Sequence, residues 1–231
     1  MEAEDGHERV RYAVVEADCQ YSVVAKVGRH FGWKLQSTSD TLDWDVCWTD
    51  NAVQSETLTR MELHQKINHF SGMYNLARKN LLGRSLMRMR KQFPGEYDFF
   101  PMTWTLPVEY HDLKTYFDGK AKGKARTFIV KPECMSQGRG IFLTRKLDDI
   151  QPGSRCVVQR YLHKPYLIDG LKFDLRVYVL VASVDPLTLY LYHEGLGRFA
   201  TEKYEAPSRD NMEETCMHLT NYAINKDNPK F

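Results

Sequence analysis

The sequence predicts an α+β protein, with a small α/β unit first, a helical middle and a strand-rich C-terminal half. Three observations predict this. The first fifty residues run apolar stretch, helical spacing, apolar stretch, the pattern of a β-α-β unit. Apolar residues then recur at helical spacing from about Ser55 until Pro94 stops them. From Thr127 onward, short runs rich in Val, Ile, Phe and Tyr follow one another between turn signals.

The elements follow in order. "RYAVVEA" (residues 11–17) reads as a buried strand. "YSVVAKVGRHFGW" (21–33) has helical spacing, with Val23, Val24, Val27 and Phe31 as the expected packing side. "DWDVCWTD" (43–50) reads as the next strand. "TLTRMELHQKI" and "NHFSGM" are expected to continue a helical region into "YNLARKNLLGRSLMRMRKQF". In that last segment, residues 76–93 carry Arg78, Lys79, Arg84, Arg88, Arg90 and Lys91 with no acidic residue. "FFPMTWTLP" is extended, "HDLKTYF" is a short helix, and "DGKAKGKAR" (118–126) is a basic loop. "TFIVKP", "GIFLTR", "CVVQRYL", "FDLRVYVLVAS", "LTLYLYHEG" and "GRFAT" are strands, with a hairpin turn over "VDP".

Composition excludes several classes. At 231 residues the chain can bury a core, and 12% aromatic residues argue against disorder. The net charge of +2 leaves charged partners to local patches. Five cysteines (Cys19, Cys47, Cys134, Cys156, Cys216) are widely spaced without a C-x-x-C, so reduced thiols in a cytosolic setting are expected and no metal ligand set is assigned. No run of about 18 apolar residues is present, so no membrane span is expected. "MEAEDGHERV" is acidic and has no apolar core, so no secretory signal is expected there. No nucleic-acid-binding module motif occurs.

Four features carry candidate chemistry. In "FIVKPECMSQGRGIF", Lys131 ends a strand and Gln137-Gly138-Arg139-Gly140 follows; a point charge beside a glycine loop suits phosphate oxygens. A strand-end lysine with an ordinary turn is the plain alternative. "VVQRYLHKP" is an apolar strand with a polar stop, through which Gln159 and backbone groups could meet a base edge; a solvated edge strand is the alternative. In "KFDLRVYVL", Lys172, Asp174 and Arg176 share one strand face and Phe173, Leu175 and Val177 the other. The apolar continuation reads as a central strand, whose charges tend to face a cleft. "CMHLTNYAINK" sets His218, Thr220, Asn221 and Asn225 among short apolar residues, either as a site or as a helix N-cap. Before it, Arg198 could pair bidentately with a carboxylate. A kinase is excluded by the absence of H-R-D-x-x-x-x-N and D-F-G.

Together and in this order, "KINHF-GM", "FIVKP", "QGRGIF", "VVQRYL-KP-LIDG-KFDLRVYVLV", "DPL", "EGL-RFAT" and "MHLTNYAINK" resemble the tubulin tyrosine ligase-like family, over roughly four-fifths of the chain. The resemblance is strongest to its polyglutamylase branch. It implies an ATP-grasp fold with an incomplete second ATP-grasp lobe: an N-terminal α/β domain over 1–62, a central domain with the first lobe over 63–160, and the start of the second lobe over 161–231. It implies an ATP-dependent ligase that activates a tubulin-tail glutamate as an acyl phosphate, which the amine of free L-glutamate then attacks. Lys131, Lys172 and Arg198 would be catalytic. Lys131, Gln137, Gly138, Gln159, Arg160, Tyr161, Leu162, Lys172, Phe173, Asp174, Thr220 and Asn221 would bind nucleotide. Gln137, Arg198, Tyr222 and Ala223 would meet the amino-acid substrates.

The resemblance also implies Mg2+, held in the family by an Asp and a Glu-x-Asn downstream of "HLTN" and expected beyond Phe231, so the chain is expected to be truncated. Tubulin or microtubules, a monomeric state, no nucleic acid and no membrane are the expected partner pattern, in the cytoplasm on the microtubule cytoskeleton, with cilium or basal body implied by the family. "ECMSQG" stands where relatives often carry "DSGCQG", and Ala223 where many carry Ser. A non-catalytic nucleotide- or microtubule-binding protein and a glycine ligase of the same family are the competing expectations.

Overall fold

The structure is a computed structural model describing residues 12–15, 19–36, 43–118, 126–133 and 135–231. Arg11 and residues 16–17 of the first expected strand, most of the basic loop "DGKAKGKAR", and Cys134 lie outside the described residues. The chain divides into two compact units, Met1–Tyr74 and Asn75–Phe231.

The first unit runs β1 (Tyr12–Val15), α1 (Ser22–His30), β2 (Lys34–Gln36), β3 (Val46–Trp48), α2 (Ser55–Arg60) and β4 (Lys66–Ile67), and its strands form a parallel sheet of order β2-β1-β3-β4. Parallel neighbours need a crossover, which α1 supplies between β1 and β2. The expected packing side of α1 is corrected: Val23, Val27 and Phe31 are exposed. The helix instead leans on its Gly28 side. A Cβ at Gly28 would lie 2.8 Å from Leu35 Cδ2, so the missing side chain lets the backbone close on β2. The continuous helix expected through residues 61–73 is also corrected. Gln65 is buried and donates from Nε2 to the Trp44 carbonyl at 2.8 Å, which draws the chain onto β3 as β4.

A helical turn, α3 (Tyr74–Ala77), starts on the last residue of the first unit, and α4 (Lys79–Gln92) follows in the second unit and ends before Pro94. β5 (Thr103–Thr105), α5 (Tyr110–Asp118), β6 (Phe128–Pro132), β7 (Phe142–Thr144) and β8 (Cys156–Arg160) follow, and the strands form an antiparallel sheet of order β5-β8-β6-β7. Alternation along β6 and β8 divides its side chains. Phe128, Val130, Cys156 and Val158 pack with Trp104 and Leu113 of α5. On the other face, Ile129 and Leu143 pack with Tyr161 and Leu219. Both faces are therefore buried, at roughly 1.5–3 kcal/mol per large apolar side chain.

β9 (Leu167–Ile168), β10 (Leu171–Val184) and β11 (Leu187–Lys203) form a second antiparallel sheet, order β11-β10-β9, and α6 (Thr215–His218) and α7 (Tyr222–Asn225) close the unit. The long strand β10 lies in the middle of its sheet, but it pairs with β9 only at Leu171 and Lys172. Beyond them β10 and β11 form a two-stranded ribbon with Leu175, Leu180 and Leu191 exposed. No described helix is long and apolar enough to cross a membrane.

Candidate functional site

The site is built where the β6–β8 sheet meets the stem of the ribbon. Lys131 is the penultimate residue of β6, on the Ile129 face, and its Nζ donates to Gln159 Oε1 at 2.9 Å. Gln159 in turn donates from Nε2 to Thr103 Oγ1 at 2.9 Å, so three strands fix the amide's orientation and leave its oxygen for the lysine. Lys172, at the start of β10, donates to Tyr161 Oη at 2.9 Å and to the His218 carbonyl at 2.8 Å. Neither lysine pairs with a carboxylate among the described residues.

Both ammonium groups are held under strain of the electrostatic kind. Burial, then the charge of Lys79, lowers the Lys131 pKa. Burial, then the charge of Lys131, lowers Lys172 to about 8 against an opposing pull from Asp174. A shift of that size corresponds to roughly 3 kcal/mol disfavouring the charged form. An arriving polyanion would relieve this cost, so the arrangement is suited to binding one.

Lys79 was missed as a site residue by the sequence reading, which placed it only in a basic helix. Its Nζ donates to the carbonyls of Pro132 and Met135, and Asn80 donates to Glu133, so the start of α4 holds the stem of the glycine loop. The signal was hidden because the Pro132 and Met135 carbonyls that Lys79 meets are backbone atoms, over fifty residues away in sequence.

The glycine loop touches the C-terminal motif. Gly138 has φ +86°, and a Cβ there would lie 2.5 Å from Ile224 Cδ1 and 3.0 Å from Asn221 Cγ. Gln137, also at positive φ (62°), is exposed. Asn225, fully buried, accepts from the Thr201 amide and hydroxyl and donates to the carbonyls of Leu219 and Asn221. It thereby fixes the Leu219–Asn221 stretch against β11.

Asp174 and Arg198 are direct cross-strand partners and form a bidentate pair, Nε to Oδ1 at 2.7 Å and Nη2 to Oδ2 at 2.5 Å. Burial alone would raise the Asp174 carboxyl. Hydrogen bonds from Arg198 and Thr220, with the charges of Arg198 and Arg176, outweigh it and hold the group below its ordinary value. The Arg198 guanidinium, expected to receive a substrate carboxylate, is thus already engaged by a residue of the chain.

Lys131 bonds Gln159, Lys172 feels the repelling charge of Lys131 and the opposite charge of Asp174, Asp174 is bonded by Thr220, and Gly138 meets Asn221. Other candidates stand apart. The Arg160 side chain lies on the opposite sheet face, donating to Tyr116 Oη and lying over the Phe128 ring, so only its backbone borders the site. Phe173 stacks on Phe199 at 5.4 Å on the other side of β10 from Lys172. Leu162 and Tyr222 are exposed, and Ala223 is half-buried on α7. A cavity of about 810 Å³ lies elsewhere, between α4, β5 and α5, lined in part by Arg84, Arg88, Lys91, Met102 and Trp104. It meets the lysine site only through Thr103. The lysine cluster is the better candidate for chemistry, because it combines half-buried, perturbed charges with convergent donors. Cys156 is buried and its thiol is pushed up, which suits packing and not nucleophilic attack.

Two half-buried lysines at the junction of two antiparallel sheets mark the candidate site of a mixed helix-and-sheet protein. Comparison with known proteins places this more narrowly. Residues 57–230 match the tubulin-tyrosine ligase family, and the chain belongs to it. It is 63% identical over 216 residues to a probable beta-tubulin polyglutamylase of Tetrahymena thermophila, covering 93% of this chain and 18% of that protein. It is 48% identical over 221 residues to tubulin polyglutamylase TTLL6 of Mus musculus (96% of this chain, 26% of that protein) and 49% over 219 residues to mouse TTLL13 (95% and 27%). The chain thus spans about a quarter or less of the length of these curated relatives. The branch expected from the motifs is the one these relatives are named for.

Proposed function

We propose that this chain carries the nucleotide-phosphate part of an ATP-dependent ligase that adds glutamate to glutamate side chains of tubulin tails. The observation supporting it most is the Lys131–Lys172 pair, two half-buried ammonium groups without a carboxylate between them. ATP fits these residues. The lysines would meet phosphate oxygens, the Gly138 loop would cover them, and the backbone at the end of β8 would meet the base. In this reading the sheets are the two halves of an ATP-grasp clamp, the second beginning near Tyr161.

The acceptor carboxylate is a poor electrophile, and ATP supplies the phosphoryl group that makes it one. The amine of free glutamate then forms the amide as phosphate leaves. The chain's own task is to align reactants and offset negative charge on the transferring group, which Lys131 and Lys172 are placed to do. Magnesium does not fit the described residues: no cluster of three His, Cys, Asp or Glu occurs among them, and Asp174 is committed to Arg198 and Thr220. The exposed Arg84 and Arg88 on α4, with Lys91, would attract acidic tails at the microtubule surface.

The test is label transfer. The 231-residue chain, and a version extended to a relative's length, are incubated with labelled glutamate, Mg-ATP and microtubules. Labelled tubulin that disappears with Lys131→Met supports the reading. No label from either protein, together with ATP binding indifferent to Lys131→Met, overturns it.

A further inference from the structure

Lys172 is a flexible four-carbon side chain that nonetheless presents its ammonium at one point. The groups that fix it lie in a polar cluster around the buried Tyr161 and His218. His218 is 1% exposed. Its Nε2 lies 2.9 Å from the Asn211 carbonyl, which can only accept, so Nε2 carries the proton. Nδ1 is then an acceptor, and Tyr161 Oη lies 3.2 Å from it. The Tyr161 phenol, pushed up by burial and then by Tyr204, keeps its proton and can donate it. Its oxygen then has lone pairs for the Lys172 ammonium at 2.9 Å, while the His218 carbonyl takes a second Lys172 proton at 2.8 Å. Two of the three ammonium protons are committed and one is left for an incoming acceptor.

We propose that His218 is a positioning residue for Lys172, acting through the Tyr161 hydroxyl and through its own carbonyl. The proposal deepens the phosphate-binding reading, but the clamp exists without ligand and can be tested without one. It requires neutral His218. Burial lowers its pKa, followed by an opposing backbone hydrogen bond to Asn211. The charged and titratable groups facing His218 are Lys172 from β10, Tyr161 after β8, Tyr204 after β11 (ring 5.9 Å away) and Glu214 before α6. A proton on Nδ1 would turn the Tyr161 hydroxyl around and set a second positive charge beside Lys172. Tyr204 offers Tyr161 an alternative acceptor, because its own proton goes to the His163 carbonyl at 2.9 Å.

The experiment follows the Lys172 Nζ protons by 15N-detected NMR in the ligand-free chain, with calorimetry of inorganic tripolyphosphate binding alongside. The wild type should show a slowly exchanging Lys172 ammonium at neutral pH, with an Nζ chemical shift that moves at acid pH as His218 titrates. His218→Leu and Tyr161→Phe should make exchange fast at neutral pH, remove the acid transition, and weaken tripolyphosphate about tenfold, the scale of one hydrogen bond to a charged group. His218→Asn, which can return an acceptor near Nδ1, should restore part of both; Tyr204→Phe should change neither. If His218→Leu does not fold, the single-atom deletion Tyr161→Phe decides. Unchanged Lys172 exchange in folded variants overturns the proposal, as does a Tyr204→Phe effect larger than those of Tyr161→Phe and His218→Leu. Fast exchange in the variants with no tripolyphosphate binding even by wild type would support the clamp and remove the phosphate reading.

Discussion

Raising pH should weaken nucleotide binding well before the fold responds. Lys172 titrates near 8 in the free protein, so about three-quarters of it is charged at pH 7.5 and about 3% at pH 9.5. A bound triphosphate should favour the charged form and return the pKa towards its ordinary 10.5. Linkage between those two values gives a Kd about twentyfold weaker at pH 9.5 than at 7.5. Lys131, also lowered, adds in the same direction. Unfolding cannot mimic this. A lysine whose folded pKa is depressed leaves the unfolded chain holding more protons between about 8 and 10.5, so its contribution to stability rises across that window. Calorimetric titration of Mg-ATP at several pH values is the assay, with Lys172→Met as the comparison. A Kd that changes less than about threefold, or a Lys172→Met variant that keeps the full slope, would refute the reasoning.

Two further outcomes follow from the geometry. Gly138→Ala should strain a residue at φ +86° and drive a Cβ to 2.5 Å from Ile224 Cδ1, costing about 1–3 kcal/mol and lowering Tm in calorimetry; Gly153→Ala, with nothing within 4 Å, should not. Asp174→Asn should release Arg198 and cost about 1 kcal/mol in urea unfolding, because the pair is only partly buried (side chains 40% and 27% exposed). Since the Asp174 pKa is depressed, its stabilisation is present above the ordinary carboxyl value of about 4 and lost as pH falls through the folded value, and Asp174→Asn should flatten that acid limb.

Much of this was legible in the sequence where local rules decide. The strands from Thr127 onward, the stop of α4 before Pro94 and the hairpin over Asp185 carry their own period and turn signals. Alternation put Lys172 and Asp174 on one face and Phe173 on the other, as the structure has them. What was not legible depended on partners distant in the chain. β2 and β4 are three and two residues long, too short to show a period, and exist through pairing with β1 and β3. The packing side of α1 was misread because a glycine, not a valine, makes the contact. Arg160 was grouped with Gln159, yet one step along a strand sends its side chain to the other face.

The geometry also explains why Asp174 stands near Lys172 without neutralising it. A carboxylate free to swing to Lys172 would cancel the charge that an anion needs to find. Arg198 and Thr220 hold its two oxygens from the side, with the guanidinium as cross-strand neighbour and the hydroxyl arriving from the "HLTN" stretch. Asn225 anchors that stretch to β11 at the Thr201 amide. The lysines are given neutral acceptors instead: an amide oxygen for Lys131, and a phenol with a carbonyl for Lys172. Neutral partners orient an ammonium without offsetting its charge. The cost of partly burying two such groups is therefore left in the folded protein, and under the proposed function a polyanion bridging both would release it.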